Sequence, residues 1–240
     1  MHKPASSKDK KSPSLALKDM LAIGFDWDGT LVDSMSVKSE AFADATSRYY
    51  PDLAVHHDTI RQLYLASRGN PRSHQLKLVQ EQFKLRDLSS EETQKWSDLF
   101  TSLYIDKKLP LFPDTVFTLI NLRRQGLKLF LCSSVPQADL DRTLASYSVR
   151  EYFEMTLGTQ EEGFRKGLPH LSYVSEKLGI PPGKIAFCGD GTDDVSGAND
   201  AGCFSIGKAN PGVNGALDEI KRGNPDLIIC ELKQLIETVQ

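Results

Sequence analysis

Six short apolar runs in this 240-residue chain read as strands, and five of them lie after residue 126. They span 21–25, 127–132, 155–157, 185–188, 203–206 and 227–230. Helical patterns at 114–125, 136–147, 169–178, 193–201, 213–222 and 231–238 separate them, and Gly126, Gly179, Gly202 and Gly223 stand just past four of those patterns as helix stops. Strands alternating with helices of this length predict a parallel sheet with helices on both faces. Such a sheet collects functional groups in the loops beyond its C-terminal strand edge.

One long segment breaks the alternation. Residues 34–111 contain no strand pattern, but 37–49, 59–65, 73–84 and 91–103 have helical spacing, punctuated by Pro51, Gly69-Asn70-Pro71 and Ser89-Ser90. The expected architecture is therefore an α/β, Rossmann-like core made of residues 17–33 and 112–240, with an all-helical cap at 34–111. Because the insert leaves the sheet after the first strand and returns before the second, it is placed to act as a lid. Residues 1–16 carry Lys3, Lys8, Lys10 and Lys11 against Asp9 and almost no large apolar side chain, which predicts a disordered tail without a signal sequence.

Composition excludes several functions. A net charge of −3 and a pI of about 6.0 supply no basic face for nucleic acid. No apolar run approaches the roughly 18 residues that a membrane helix needs. Cys132, Cys188, Cys203 and Cys230 each sit in an apolar stretch without Cys-x-x-Cys spacing, and read as reduced core thiols. A cytoplasmic protein, monomeric or weakly homodimeric, is expected.

The end of the first strand carries the strongest chemical signal. Residues 25–34 read F-D-W-D-G-T-L-V-D-S, so Asp26 and Asp28 stand two apart where a Gly29-Thr30 turn can hold them near one point. Alone, this is also what a strand and a solvated Asp-Gly turn would look like. Three later strand ends add Ser133 and Ser134, Arg165-Lys166-Gly167, and Gly189-Asp190-Gly191-Thr192-Asp193-Asp194. Each has an ordinary explanation as a cap, a solvated lysine or a first-turn acid. Their joint placement on one sheet edge converges on phosphate chemistry.

The order F-D-W-D-G-T-L-V-D-S, L-F-L-C-S-S, R-K-G-L-P and G-D-G-T-D-D resembles the four motifs of the haloacid dehalogenase superfamily, in its phosphatase branch with a helical cap after the first motif. The stretch 111–129 is similar to that family's return from cap to core. Two positions depart from the pattern: Gly167 follows Lys166 where many relatives have Pro, and Gly191 stands where many have Ser. The resemblance implies that Asp26 is a nucleophile forming an aspartyl-phosphate, with Asp28 as acid and then base. It assigns Mg²⁺ to Asp26, the Asp28 carbonyl and Asp190, with Asp194 in support and Asp193 a bystander. It also gives Ser133 a phosphoryl oxygen to bind, and gives Lys166 charge to offset. The implied partner is a small phosphorylated metabolite.

Substrate choice is expected in the cap. Residues 61–77 hold Arg61, Arg68, Arg72, His74 and Lys77 without an acid, and Asn70-Pro71 reads as a helix start offering backbone N–H groups to an anion. Arg68 and Arg72, with Ser134, are the expected substrate contacts. Among alternatives, a sugar-phosphate mutase of the same superfamily shares the aspartyl-phosphate but often carries Glu-Asp where this chain has Gly189-Asp190. A phosphonate hydrolase needs a cap lysine, for which Lys38 and Lys77 exist without a supporting motif. The dehalogenase branch lacks an acid at the position of Asp28. A receiver-like signalling module also joins a phosphoacceptor Asp, Ser or Thr and Lys, but without an inserted helical lid.

Overall fold

The computed structural model describes residues 17–67, 72–104, 107–160, 163–211, 213 and 215–239, so the expected tail at 1–16 lies outside the described residues. Six strands form one sheet: β1 (Ala22–Phe25), β2 (Lys128–Pro136), β3 (Met155–Thr159), β4 (Ile185–Gly189), β5 (Phe204–Lys208) and β6 (Leu227–Ile229). Their spatial order is β3-β2-β1-β4-β5-β6, and every adjacent pair is parallel. All four residues of β1 are buried, as expected for a strand covered on both faces. The order reverses at β1, whose neighbours are β2 on one side and β4 on the other. That reversal opens a crevice beyond its C-terminal end.

Helices α5 (Thr115–Arg124), α6 (Gln137–Leu144) and α10 (Gln234–Val239) cover one face. There Leu119, Leu122, Leu140 and Leu235 pack with Ile23, Phe25 and Leu129 of the sheet. Helices α7 (Leu168–Leu178) and α8 (Thr192–Asp200) cover the other, where Leu171, Val174 and Ala198 meet Phe130 and Phe187. A further helix, α9 (Ala216–Arg222), packs on α8 and β5. The α/β architecture read from the sequence is the one observed.

The residues between β1 and α5 form α1 (Ser34–Tyr49), α2 (His57–Ala66), α3 (Arg72–Gln82) and α4 (Ser90–Ser102), plus a 3-10 turn at Pro51–His56 that the sequence pattern did not suggest. They bury their own apolar cluster around Phe42, whose ring centroid lies 4.9 Å from Tyr64, 5.4 Å from Trp96 and 5.7 Å from Phe100. Such edge-on aromatic pairs add to the burial energy. Helix α4 starts on a full capping box: Ser89 Oγ accepts from Glu92 N–H, and the Glu92 carboxylate accepts from Ser89 N–H. The chain enters and leaves these helices through two paired segments. Asp33 N–H donates to Pro110 O at 2.8 Å and Phe112 N–H to Leu31 O at 3.0 Å, with Val32 bridged antiparallel to Leu111.

Several local expectations are corrected. Strand β2 continues through Ser133 and Ser134 to Pro136, because a register shift between Cys132 and Pro136 lets it keep pairing with β3. Cys132, Cys188 and Cys203 are buried thiols, but Cys230 is exposed, since it follows the last residue of β6. After α9 the left-handed position falls on Asn224 rather than Gly223. Among the described residues no helix is long and apolar enough to cross a membrane.

Two outcomes follow from this packing. Phe42→Ala should cost about 3–5 kcal/mol, read by urea unfolding, because a buried aromatic ring is lost among three others. His170, fully buried beside Phe164 with ring centroids 4.7 Å apart, has its pKa pushed down to about 4, first by burial and further by the Lys166 charge. An unfolded histidine takes up its proton near pH ~6.5. Between those two values the unfolded chain binds the proton and the folded one does not, so His170 withdraws stability as pH falls through that window. The pH dependence of the unfolding midpoint should therefore be shallower in His170→Asn than in wild type.

Candidate active site

Asp26 follows β1 directly, and its N–H donates to Cys188 O of β4 at 2.9 Å, which fixes the backbone between two strands. Its carboxylate is buried. The chain then turns through Gly29, whose φ of 75° lies in the left-handed region. An added Cβ there would run into the Asp190 carboxylate, so the turn needs glycine for both conformation and space. The carbonyl of Gly29 is held from across the sheet: Lys208 Nζ lies 3.3 Å away and Asn210 Nδ2 donates to it at 2.9 Å. Lys208 is itself buried, bonded to Asn210 Oδ1, and sits 3.4 Å from the Phe112 ring centroid.

The loop after β3 brings Lys166 to the same point. Its Nζ lies 3.1 Å from Asp26 Oδ1 and 2.8 Å from Asp194 Oδ1. Gly167, with φ 103° and ψ −143°, has a backbone that proline cannot adopt, which accounts for its departure from the family pattern. A Cβ on Gly197 of α8 would stand 2.9 Å from Gly167 Cα. Backbone therefore rests on backbone, and Lys166 is held close to the start of α8.

Asp190 ends the β4 edge, and Asp194 lies in the first turn of α8, where its Oδ2 accepts from Gly191 N–H at 3.1 Å. One oxygen from each of Asp26, Asp190 and Asp194 lies within 4.8 Å of the other two, and all three residues are buried. Burial pushes the Asp26 pKa well up; Lys166 opposes that, and Asp194, Asp190 and Asp28 add to it. For Lys166, burial opposes the charge and the neighbouring Asp194 and Asp26 outweigh it, so its pKa is raised. Asp28 behaves differently. Burial alone would raise its pKa, but Lys38 of α1, 2.8 Å from its Oδ1, brings it below the usual value.

A cleft of about 780 Å³ opens on this group. Asp26, Asp28, Ser134, Lys166, Asp190 and Asp194 all line it. Ser133 is buried, with its Oγ accepting from Val135 N–H at 3.2 Å. Arg68 lies outside the described residues, as does the Asn70-Pro71 helix start. Arg72, expected at the substrate, is engaged within the helices: its guanidinium donates to Thr101 Oγ1 and Tyr104 OH, each at 2.7 Å, and stacks 4.9 Å from the Phe100 ring centroid. Sequence reasoning missed Met35, Arg165 and Glu219 as cleft residues, and it set Asp193 aside although it too lines the cleft. Glu219 carried no signal because only the packing of α9 brings it there.

The three buried acids fit a metal ion. One lysine faces three carboxylates, and an all-oxygen donor set suits a hard divalent cation. A parallel sheet with an inserted helical layer, and an acid cluster with lysine at its switch point, define a phosphoryl-transfer or related hydrolytic centre. Residues 20–202 match the haloacid dehalogenase-like hydrolases, and the chain belongs to that family. Phosphoglycolate phosphatase of Photorhabdus laumondii is 28% identical over 94% of this chain and 95% of its own length. That of Escherichia coli K12 is 28% identical over 91% of this chain and 92% of its own. The crystal structure of a predicted phosphoglycolate phosphatase from Haemophilus somnus 129PT superposes with a TM-score of 0.73 at 23% identity, covering 92% of this chain and 99% of that one.

Binding of a divalent cation to the folded state alone should raise the thermal midpoint with rising concentration, by about 2.7 kcal/mol of stability at 100 times Kd. Asp190→Asn should abolish most of that shift. A midpoint indifferent to Mg²⁺ in wild type would refute the fit.

Proposed function

We propose that this protein is a Mg²⁺-dependent phosphatase that hydrolyses a small phosphate monoester, 2-phosphoglycolate being the leading candidate, through an aspartyl-phosphate on Asp26. The observation that carries the reading is the buried Asp26, held by Lys166 at the end of β1 and facing a cleft lined by Asp28, Asp190 and Asp194. The names of the relatives support the substrate choice.

A phosphate ester repels nucleophiles because its oxygens are anionic, so the site must supply positive charge and in-line placement. Mg²⁺, held by Asp26, Asp190 and the Asp28 carbonyl with Asp194 in support, would supply that charge at the phosphoryl oxygens. Lys166 orients the Asp26 carboxylate and offsets phosphoryl charge, while Ser133 and Ser134 offer hydroxyls from the end of β2. An Asp26 oxygen attacks phosphorus, the ester P–O bond breaks, and Asp28 gives its proton to the departing alkoxide. Asp28 then takes a proton from water as that water attacks phosphorus, which releases inorganic phosphate and restores the Asp26 carboxylate. Helices α1 to α4 form a lid hinged at the paired segments 31–33 and 110–112, excluding bulk water during the first step. The reaction needs no membrane and suits the cytoplasm.

With Mg²⁺ present, wild type should release phosphate from 2-phosphoglycolate, and Asp26→Asn should lower kcat by about 10³-fold or more, since removal of a nucleophile leaves only binding effects. Comparable turnover in Asp26→Asn would overturn the assignment. Stable phosphoprotein without phosphate release would favour a mutase or a receiver.

A further inference from the structure

The basic side chains of the helical layer divide by what they touch. Arg61 pairs with Glu40 and Asp58, and Lys77 with Asp87, all within that layer. Arg72 is taken up by Ser97, Thr101 and Tyr104. Lys38 instead crosses to the sheet edge. Its Nζ lies 2.8 Å from Asp28 Oδ1, with the side chain mostly buried, and 5.5 Å from the centroid of the Tyr104 ring that Arg72 braces. Met35, one turn earlier on α1, lines the cleft beside Asp28.

Position gives Lys38 a second role, which rests on the reading of Asp28 as the proton donor to the leaving oxygen. Whatever touches that donor also lies beside the leaving group. A carboxylate one carbon from the ester oxygen places its own oxygens about 3 Å from it by ordinary bond lengths. Such a substituent would otherwise meet Asp28, and like charges at that distance repel strongly where water is scarce. Lys166 cannot answer for it, because Asp26 and Asp194 already hold its ammonium.

We propose that Lys38 is the specificity-determining residue for the leaving group, selecting phosphate esters that carry a carboxylate one carbon from the ester oxygen. In the free protein it neutralises Asp28; with substrate bound it reaches the carboxylate as well. An ammonium carries several donors, so one lysine can serve both acceptors. Tyr104, braced by Arg72, limits where the ammonium can go and so sets the reach of the recognised group.

The experiment compares 2-phosphoglycolate with ethyl phosphate, which has a methyl group where the former has its carboxylate, under saturating Mg²⁺, for wild type, Lys38→Met and Lys38→Arg. Wild type should prefer 2-phosphoglycolate. In Lys38→Met the ratio of kcat/KM for the two substrates should fall by at least about tenfold, carried by KM, as expected for loss of a charged hydrogen bond. Lys38→Arg should restore most of the ratio by keeping the charge. A ratio within twofold of wild type in Lys38→Met, or a fall in kcat shared equally by both substrates, would reduce Lys38 to a support for Asp28 and overturn the proposal. If Lys38→Met fails to fold, the Arg variant and the wild-type ratio still decide, because absence of any wild-type preference also overturns it. Failure of the phosphatase reading looks different: neither ester would then release phosphate at all.

Discussion

Like charges packed where water is scarce repel, and that repulsion organises this molecule. Asp26, Asp190 and Asp194 are buried within 4.8 Å of one another, and a single ammonium, that of Lys166, lies among them. Nothing in local propensity holds carboxylates so close; the sheet does, by ending β1 and β4 side by side and starting α8 immediately afterwards. A cluster left with excess negative charge raises proton affinity, as it does at Asp26, or draws in a cation. The same imbalance that costs stability in the free protein creates affinity for a divalent ion and a phosphoryl group.

Much of this was legible in the sequence because its signals are short and periodic. Alternation of apolar runs with glycine-stopped helices specified the parallel sheet, and parallel topology implied that Asp26, Ser134, Lys166 and Asp190 share an edge. What stayed hidden depends on contacts between distant segments. Lys38 looked like any helix-face lysine until α1 was seen leaning on Asp28. Arg72 sat in a stretch without acids, yet hydroxyls of α4 and Tyr104, around 30 positions further on, absorb its donors. Ser133 and Ser134 are adjacent in sequence, but alternation along β2 buries one and turns the other to the cleft.

The helical layer has its own aromatic core and only a narrow connection to the sheet, through the two segments pinned by Asp33–Pro110 and Leu31–Phe112 hydrogen bonds. That construction separates two demands. Charge geometry at the sheet edge belongs to a rigid scaffold, while the shape above it can be altered by changing helices that contribute little to the acid cluster. Lys38 is the exception, a side chain of the layer that reaches the scaffold. The receiver alternative has no counterpart to this layer, and the hydrolase family match agrees with its presence.

The turn after Asp28 is completed from far along the chain, since the Gly29 carbonyl is bonded by Lys208 and Asn210. During synthesis the acids of the first motif emerge early, but Lys166, Asp190, Asp194 and finally Lys208 and Asn210 follow only as the last strands are made. A nascent chain therefore carries the nucleophile for most of its translation without the groups that arm it. Reactivity toward phosphate esters is withheld until the fold is nearly whole, so a prematurely terminated product is chemically silent.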